Sequence, residues 1–130
     1  MPESMPLAVV SPVRKVCMPT FTDYAAYWDH HAQRVPEETP ADALRGAVGW
    51  TQYAGHGTGM EILGHPATAL ELGSGRGNAV AALASREVRA TGVDFSPDHC
   101  AQARTRWSHL PGARFAQADV LDYLAAADQR

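Results

Sequence analysis

The segment ATALELGSGRGN, residues 67–78, decides the fold. Its first half, Ala67–Leu72, is a short apolar run interrupted only by Thr68 and Glu71. A run of that length closed by a glycine reads as a buried strand. Gly73, Gly75 and Gly77 then alternate with Ser74 and Arg76. Missing side chains let the backbone turn sharply there and let a ligand approach main-chain atoms. Residues 77–87 follow with Val80, Leu83 and Ala84 on one face, the spacing of an amphipathic helix.

Toward the C-terminus the pattern repeats. Arg89–Phe95 reads as a second strand. Ser96, Pro97 and Asp98 combine a capping hydroxyl, a proline in the first turn and an acid near the positive helix end. Cys100, Ala103, Trp107 and Leu110 form the buried face of the helix that starts there, and Pro111 with Gly112 ends it. Ala113–Ala118 is a third strand and residues 120–127 a last helix. The order β-α-β-α-β with short connections predicts an α/β, Rossmann-like parallel sheet. Its expected strand order is 3-2-1, with helices on both faces. Residues 67–130 are thus read as a cofactor-binding half-domain.

Toward the N-terminus the signal is weaker. Residues 1–20 hold Pro2, Pro6, Pro12 and Pro19 and no sustained periodicity, so they read as a flexible extension. Residues 21–66 read as a helical and loop cap. Thr22 and Asp23 start a helix whose face carries Tyr24, Tyr27, Trp28 and His31, and Pro36 stops it. A loop is expected over 36–40. Ala43, Leu44, Ala47 and Val48 suggest a short helix. Trp50–Gly59, with Gly55, Gly57 and Gly59 close together, is a shaped loop. Residues 60–64 make one helical turn.

Bulk properties exclude several classes. The chain has 130 residues, the length of one ordinary domain. A net charge of −3 leaves no basic surplus to neutralise phosphates, which argues against nucleic-acid binding. No apolar run is long enough to span a bilayer. The apolar patch Leu7–Val10 precedes Arg14 and Lys15, the reverse of a signal peptide. Cys17 and Cys100 give neither a disulfide framework nor a metal spacing, and the six histidines show no ligand pattern, so no metal is expected. A reduced cytoplasm is the expected compartment.

The glycine turn opens a helix, and free N–H groups with a positive dipole end favour an anion there. Pyrophosphate and a ligand carboxylate are the two choices. The dinucleotide fingerprint G-x-G-x-x-G needs glycine at position 78, which is Asn78. The spacing present is G-x-G-x-G, with Glu71 two residues ahead of Gly73. An acid at that place suits a ligand bearing cationic groups and would repel pyrophosphate. Tight strand–helix packing alone would also account for the glycines. Asp94, 21 residues after Gly73, ends the second strand, where a carboxylate accepts hydrogen bonds from both ribose hydroxyls. Helix capping beside Ser96 is the alternative for Asp94.

The form Glu71-x-Gly73-x-Gly75-x-Gly77, followed by Asp94, resembles motif I and its downstream acid in class I S-adenosylmethionine-dependent methyltransferases. The likeness runs over about residues 71–120. It implies S-adenosyl-L-methionine as cofactor, contacted by Glu71, Gly73, Ser74, Gly75, Gly77 and Asp94. It also implies methyl transfer to a small-molecule acceptor. By the same resemblance Asp119 lies near the adenine amino group, Val120 against the ring and Phe95 on its other face. An N-cap for the last helix accounts for Asp119 equally well. The loop 50–59 resembles a segment upstream of motif I in some bacterial small-molecule members, which implies Gln52, Tyr53 and His56 as substrate or cofactor contacts. A purely structural loop around Trp50 is the alternative. A sulfonium is already an activated leaving group, so the protein supplies mainly alignment and no catalytic residue is named. Members of the family usually continue past the third strand. The chain is therefore expected to be the first part of a fuller sheet, with its first strand exposed as an edge open to self-association. A non-catalytic cofactor-binding module is the alternative function, and a nucleotide-dependent oxidoreductase a weaker one.

Overall fold

The computed structural model describes Thr20, residues 22–34, Pro36, residues 38–45, 48–49, Tyr53 and residues 55–128. The extension expected over residues 1–20 lies outside them apart from Thr20, as do Ala47, Trp50 and Gln52.

Three strands, β1 (Thr68–Leu72), β2 (Arg89–Asp94) and β3 (Ala113–Gln117), pair in parallel in the spatial order β1-β2-β3. This is the expected 3-2-1 sheet. Helix α1 (Tyr24–Arg34) and helix α2 (Pro40–Arg45) precede it, and α3 (Asn78–Ala84), α4 (Pro97–Trp107) and α5 (Val120–Asp128) follow the three strands in turn. Residues 60–63 form a 3-10 turn closed by Gly64 at φ +62°.

Local signals set the helix starts. Asp23 Oδ1 accepts the Ala26 N–H at 2.7 Å and opens α1. The Ser96 hydroxyl accepts the His99 N–H at 3.1 Å with Pro97 in the first turn of α4, as the sequence suggests. Helix α2 begins inside the loop expected over 36–40. There the Thr39 hydroxyl accepts the Asp42 N–H at 3.2 Å and Pro40 occupies the first helical position.

Pairing register decides which side chains meet the helices. Ala69, Ala90 and Ala113 align across the sheet, as do Glu71, Gly92 and Phe115. Val80 and Leu83 of α3 pack on Ala69, Ala90 and Ala113. Trp107 and Ala103 of α4 pack with Ala81 and Phe115. The row of small residues lets α3 lie close to the sheet. A Cβ at Gly92 would stand 2.5 Å from Ser74 Oγ and 2.9 Å from Val80 Cγ2, so this position admits only glycine. Tyr123 of α5 lines a hollow at β3 that takes in Thr91, Arg114 and Ala116 as well as Arg104 and Trp107 of α4.

Strand β1 departs from the expectation of a strand covered on both faces. Ala69 and Glu71 are partly buried, but Leu70 is 45% and Leu72 47% exposed. β1 is also the outer strand of the sheet among the described residues. An apolar run reports affinity for burial and does not count the layers that supply it.

Candidate cofactor site

The C-terminal ends of parallel strands are where such sheets bind ligands. Here three loops meet: Gly73–Gly77 after β1, Phe95–Ser96 after β2 and Ala118–Asp119 after β3. The first is held tightly. The N–H groups of Gly73 and Ser74 both donate to Val93 O, at 2.8 and 3.0 Å, and Gly77 N donates to Ser74 O at 2.9 Å. Its three glycines take φ of +74°, +53° and +80°, the left-handed region that side chains disfavour.

The three glycines differ in what surrounds them. A Cβ at Gly73 or Gly75 would meet nothing within 4 Å. The backbone at those two positions faces open space. A Cβ at Gly77 would collide with the Phe115 ring at 2.4 Å and approach Ala103 Cβ at 3.1 Å. Gly77 is therefore the packing glycine that brings α3 against β3 and α4. The Trp107 indole N–H donates to Arg76 O at 3.0 Å and pins the far side of the loop.

Asp94 is buried at 6% exposure. Its Oδ2 accepts the Gly75 N–H at 2.8 Å and its Oδ1 the Ser96 N–H at 2.9 Å. The carboxylate thus joins the glycine loop to the start of α4. A carboxylate has about four acceptor positions, so two bonds leave capacity for a ligand. The capping contact anticipated as its alternative role is present alongside the link to Gly75. His99 Nδ1 stands 3.7 Å from Asp94 Oδ1.

Glu71 is the electrostatic oddity. Desolvation raises its carboxyl to about 7, a hydrogen bond from Val80 N–H opposes this, and the charge of Asp94 adds to the rise. Its Oε2 is buried without a hydrogen-bond partner. Such an atom costs free energy until a donor meets it. An ammonium would satisfy the oxygen and keep the carboxyl ionised.

Phe95 is half-buried beside Asp94 and stacks on Tyr24 of α1, ring centroids 5.7 Å apart and planes 11° apart. Asp119 is exposed; its Oδ1 accepts the N–H groups of Leu121 at 2.8 Å and Asp122 at 3.3 Å, so it caps α5. Val120, half-buried, opens that helix. Ser74 is buried in the loop. Tyr53 and His56 are exposed and pack edge to face with centroids 6.4 Å apart. Gln52 lies outside the described residues. Sequence reasoning missed the contribution of α1. Asp29 and Tyr24 reach the turn after β2, and nothing in the α1 periodicity marks Asp29.

The described residues contain no group of three or more metal-ligating side chains and no helix long and apolar enough to cross a membrane. Residues 69–130 match the model of a methyltransferase domain. Over 60 residues the chain is 45% identical to trans-aconitate 2-methyltransferase of Methylobacterium nodulans, a match covering 45% of this chain and 22% of that protein. The chain therefore spans about a fifth of the length of that curated relative. A Thiobacillus denitrificans S-adenosylmethionine-dependent methyltransferase in complex with S-adenosyl-L-homocysteine is 31% identical, covering 42% of this chain and 23% of that one at a TM-score of 0.39. The bifunctional kinase-methyltransferase WbdD is 28% identical, covering 51% of this chain and 15% of that one at a TM-score of 0.45. The acid-led glycine turn, the parallel strand order and the match over residues 69–130 agree, and through that region the chain is similar to methyltransferase domains.

Proposed function

We propose that the chain binds S-adenosyl-L-methionine across the ends of β1, β2 and β3 and serves methyl transfer to a small-molecule acceptor. The observation that carries this reading is the unpartnered buried Oε2 of Glu71 beside open backbone at Gly73 and Gly75. Glu71 would take the ammonium of the methionine part. The Gly73–Gly75 backbone would lie against its carboxylate and Asp94 would accept the ribose hydroxyls. Phe95 and Val120 would enclose adenine with Asp119 near its amino group. Gly77 would shape the loop from behind, through packing. Tyr53 and His56, with Gln52, would face the acceptor side. The name of the Methylobacterium relative supports a small organic acceptor.

The bound sulfonium supplies an activated methyl group. Held by Glu71, the Gly73–Gly75 backbone and Asp94, that methyl group would be available for transfer to the acceptor's nucleophile. The chain's own contribution is to orient both partners, which in well-aligned systems is worth roughly 7–11 kcal/mol. The exposed Leu70 and Leu72 and the outer position of β1 among the described residues support self-association as a second proposal, since strand edges invite pairing.

Equilibrium dialysis with methyl-labelled S-adenosylmethionine tests the cofactor reading. The parent chain should retain label, S-adenosylhomocysteine should displace it, and Asp94→Ala should weaken retention by roughly 1.5–3 kcal/mol, the scale for hydrogen bonds to a charged group. No retention by the parent, or retention unchanged in Asp94→Ala, would sink it.

A further inference from the structure

Helix α1 lies outside the region matched by the family model, yet it is sewn to the start of α4. The Ser96 hydroxyl donates to Asp29 Oδ1 across 67 residues of chain. The same Asp29 oxygen accepts the Asp98 N–H at 3.4 Å. Gln33 Nε2 donates to Asp98 Oδ2 at 2.8 Å, and Gln102 Nε2 donates to Ala32 O at 3.1 Å. Tyr24 meanwhile stacks on Phe95. Apart from the Gln102–Ala32 bond further along α4, these contacts converge on residues 95–98, which follow Asp94.

Ser96 is fully buried, and its hydroxyl has two duties. Its oxygen accepts the His99 N–H, and its hydrogen goes to Asp29. Asp29 thereby fixes the hydroxyl rotor, leaving a lone pair aimed at His99 N. The backbone N–H of Ser96 in turn donates to Asp94 Oδ1. A chain of hydrogen bonds therefore runs from α1 through Ser96 to the carboxylate assigned to the ribose. Remove the Asp29 acceptor and a buried hydroxyl loses its partner at the residue that holds Asp94 in place. The anionic Asp29 also sits at the positive end of α4, where a negative charge is favoured.

We infer that Asp29 is a positioning residue for the adenosyl part of the cofactor. It acts through Ser96 on Asp94, and with Tyr24 on Phe95 it makes α1 a clamp on the adenosyl-binding turn. The inference rests on the cofactor reading above. A purely architectural α1 would stabilise the fold without altering ligand affinity, and that difference is measurable.

The test is calorimetric titration of the full 130-residue chain with S-adenosylhomocysteine and with 5′-methylthioadenosine, which lacks the amino-acid end. Thermal melts run in parallel. Asp29→Ala should raise both dissociation constants by the same factor, about tenfold, or ~1.4 kcal/mol. Asp29→Asn keeps an acceptor for the hydroxyl and should remain within about twofold of the parent by the same conversion. Combined with Ser96→Ala, Asp29→Ala should add little further loss, since the two act along one path. Asp29→Ala that melts lower yet binds both ligands as the parent does overturns the inference, as do losses that add in the double variant. If Asp29→Ala does not fold, Tyr24→Leu reads the same turn from an exposed position, with about a threefold loss expected and parent-like affinity overturning the clamp. Failure of the parent to bind either ligand would overturn the cofactor reading itself, and the inference with it.

Discussion

Replacing Glu71 by glutamine should make the free chain more stable at alkaline pH and leave it unchanged in acid. In the folded chain the carboxyl lies at about 7, against 4.5 for the ordinary group, chiefly because burial disfavours its ionised form. The folded state therefore holds a proton between these two values that the unfolded state has lost. Stability falls as pH rises through that window, and above about 7 the whole penalty is present. Each step of one in pKa is about 1.4 kcal/mol, and screening by water at a part-exposed group reduces the sum, leaving roughly 2–3 kcal/mol. Glutamine keeps an acceptor for the Val80 N–H and carries no charge. For a domain of this size the parent and Glu71→Gln should melt within about 2 °C of each other at pH 4. At pH 8 the variant should melt roughly 6–10 °C higher. Other carboxylates titrate in both proteins and cancel in the difference. A gap that does not grow with pH, or a variant less stable at pH 8, would refute the reasoning. The same substitution should weaken S-adenosylhomocysteine binding at pH 8, because the ammonium loses its anionic partner.

Gly77→Ala should destabilise the fold by roughly 2–4 kcal/mol in urea denaturation, through the Phe115 collision and the positive φ together. Gly75→Ala, whose new methyl meets open space, should cost only about 1–2 kcal/mol of stability while removing ligand affinity; equal stability losses at the two positions would contradict the assignment of one to packing and the other to the ligand. Trp107→Ala should cost roughly 3–5 kcal/mol, since Trp107 is 1% exposed and its indole N–H holds Arg76 O; a loss below about 1 kcal/mol would contradict its place in the core. Static light scattering across a concentration series should show a mass rising above 14.0 kDa if β1 pairs between copies, and a constant 14.0 kDa would remove that proposal.

What was legible in the sequence is what short-range physics writes there. The apolar runs, the glycine turn and the Ser96–Pro97 helix start each act over a few residues, so strand order and element sequence follow from them. Thr39, followed three residues later by Asp42, carried a readable start for α2 that a loop assignment passed over. Contacts between distant segments leave no such mark. Asp29 meets Ser96 across 67 residues, and the α1 periodicity that reveals its aromatic face is silent about it. The three glycines look alike in sequence, and only the positions of Phe115 and Ala103 separate Gly77 from the two that face open space. Asp119 could be read as cap or ligand contact, and the structure shows the cap, made through one of its two oxygens.

Calorimetric titration of the parent chain with S-adenosylhomocysteine, with NAD as the control, tests the central claim most directly. The acid-led glycine turn and the unpartnered Glu71 oxygen call for a ligand with a cationic amino-acid end. Saturable one-to-one binding of S-adenosylhomocysteine, stronger at pH 8 than at pH 6 and with no heat from NAD, is the predicted result. Binding of NAD in preference, or S-adenosylhomocysteine affinity that falls as Glu71 ionises, would contradict it.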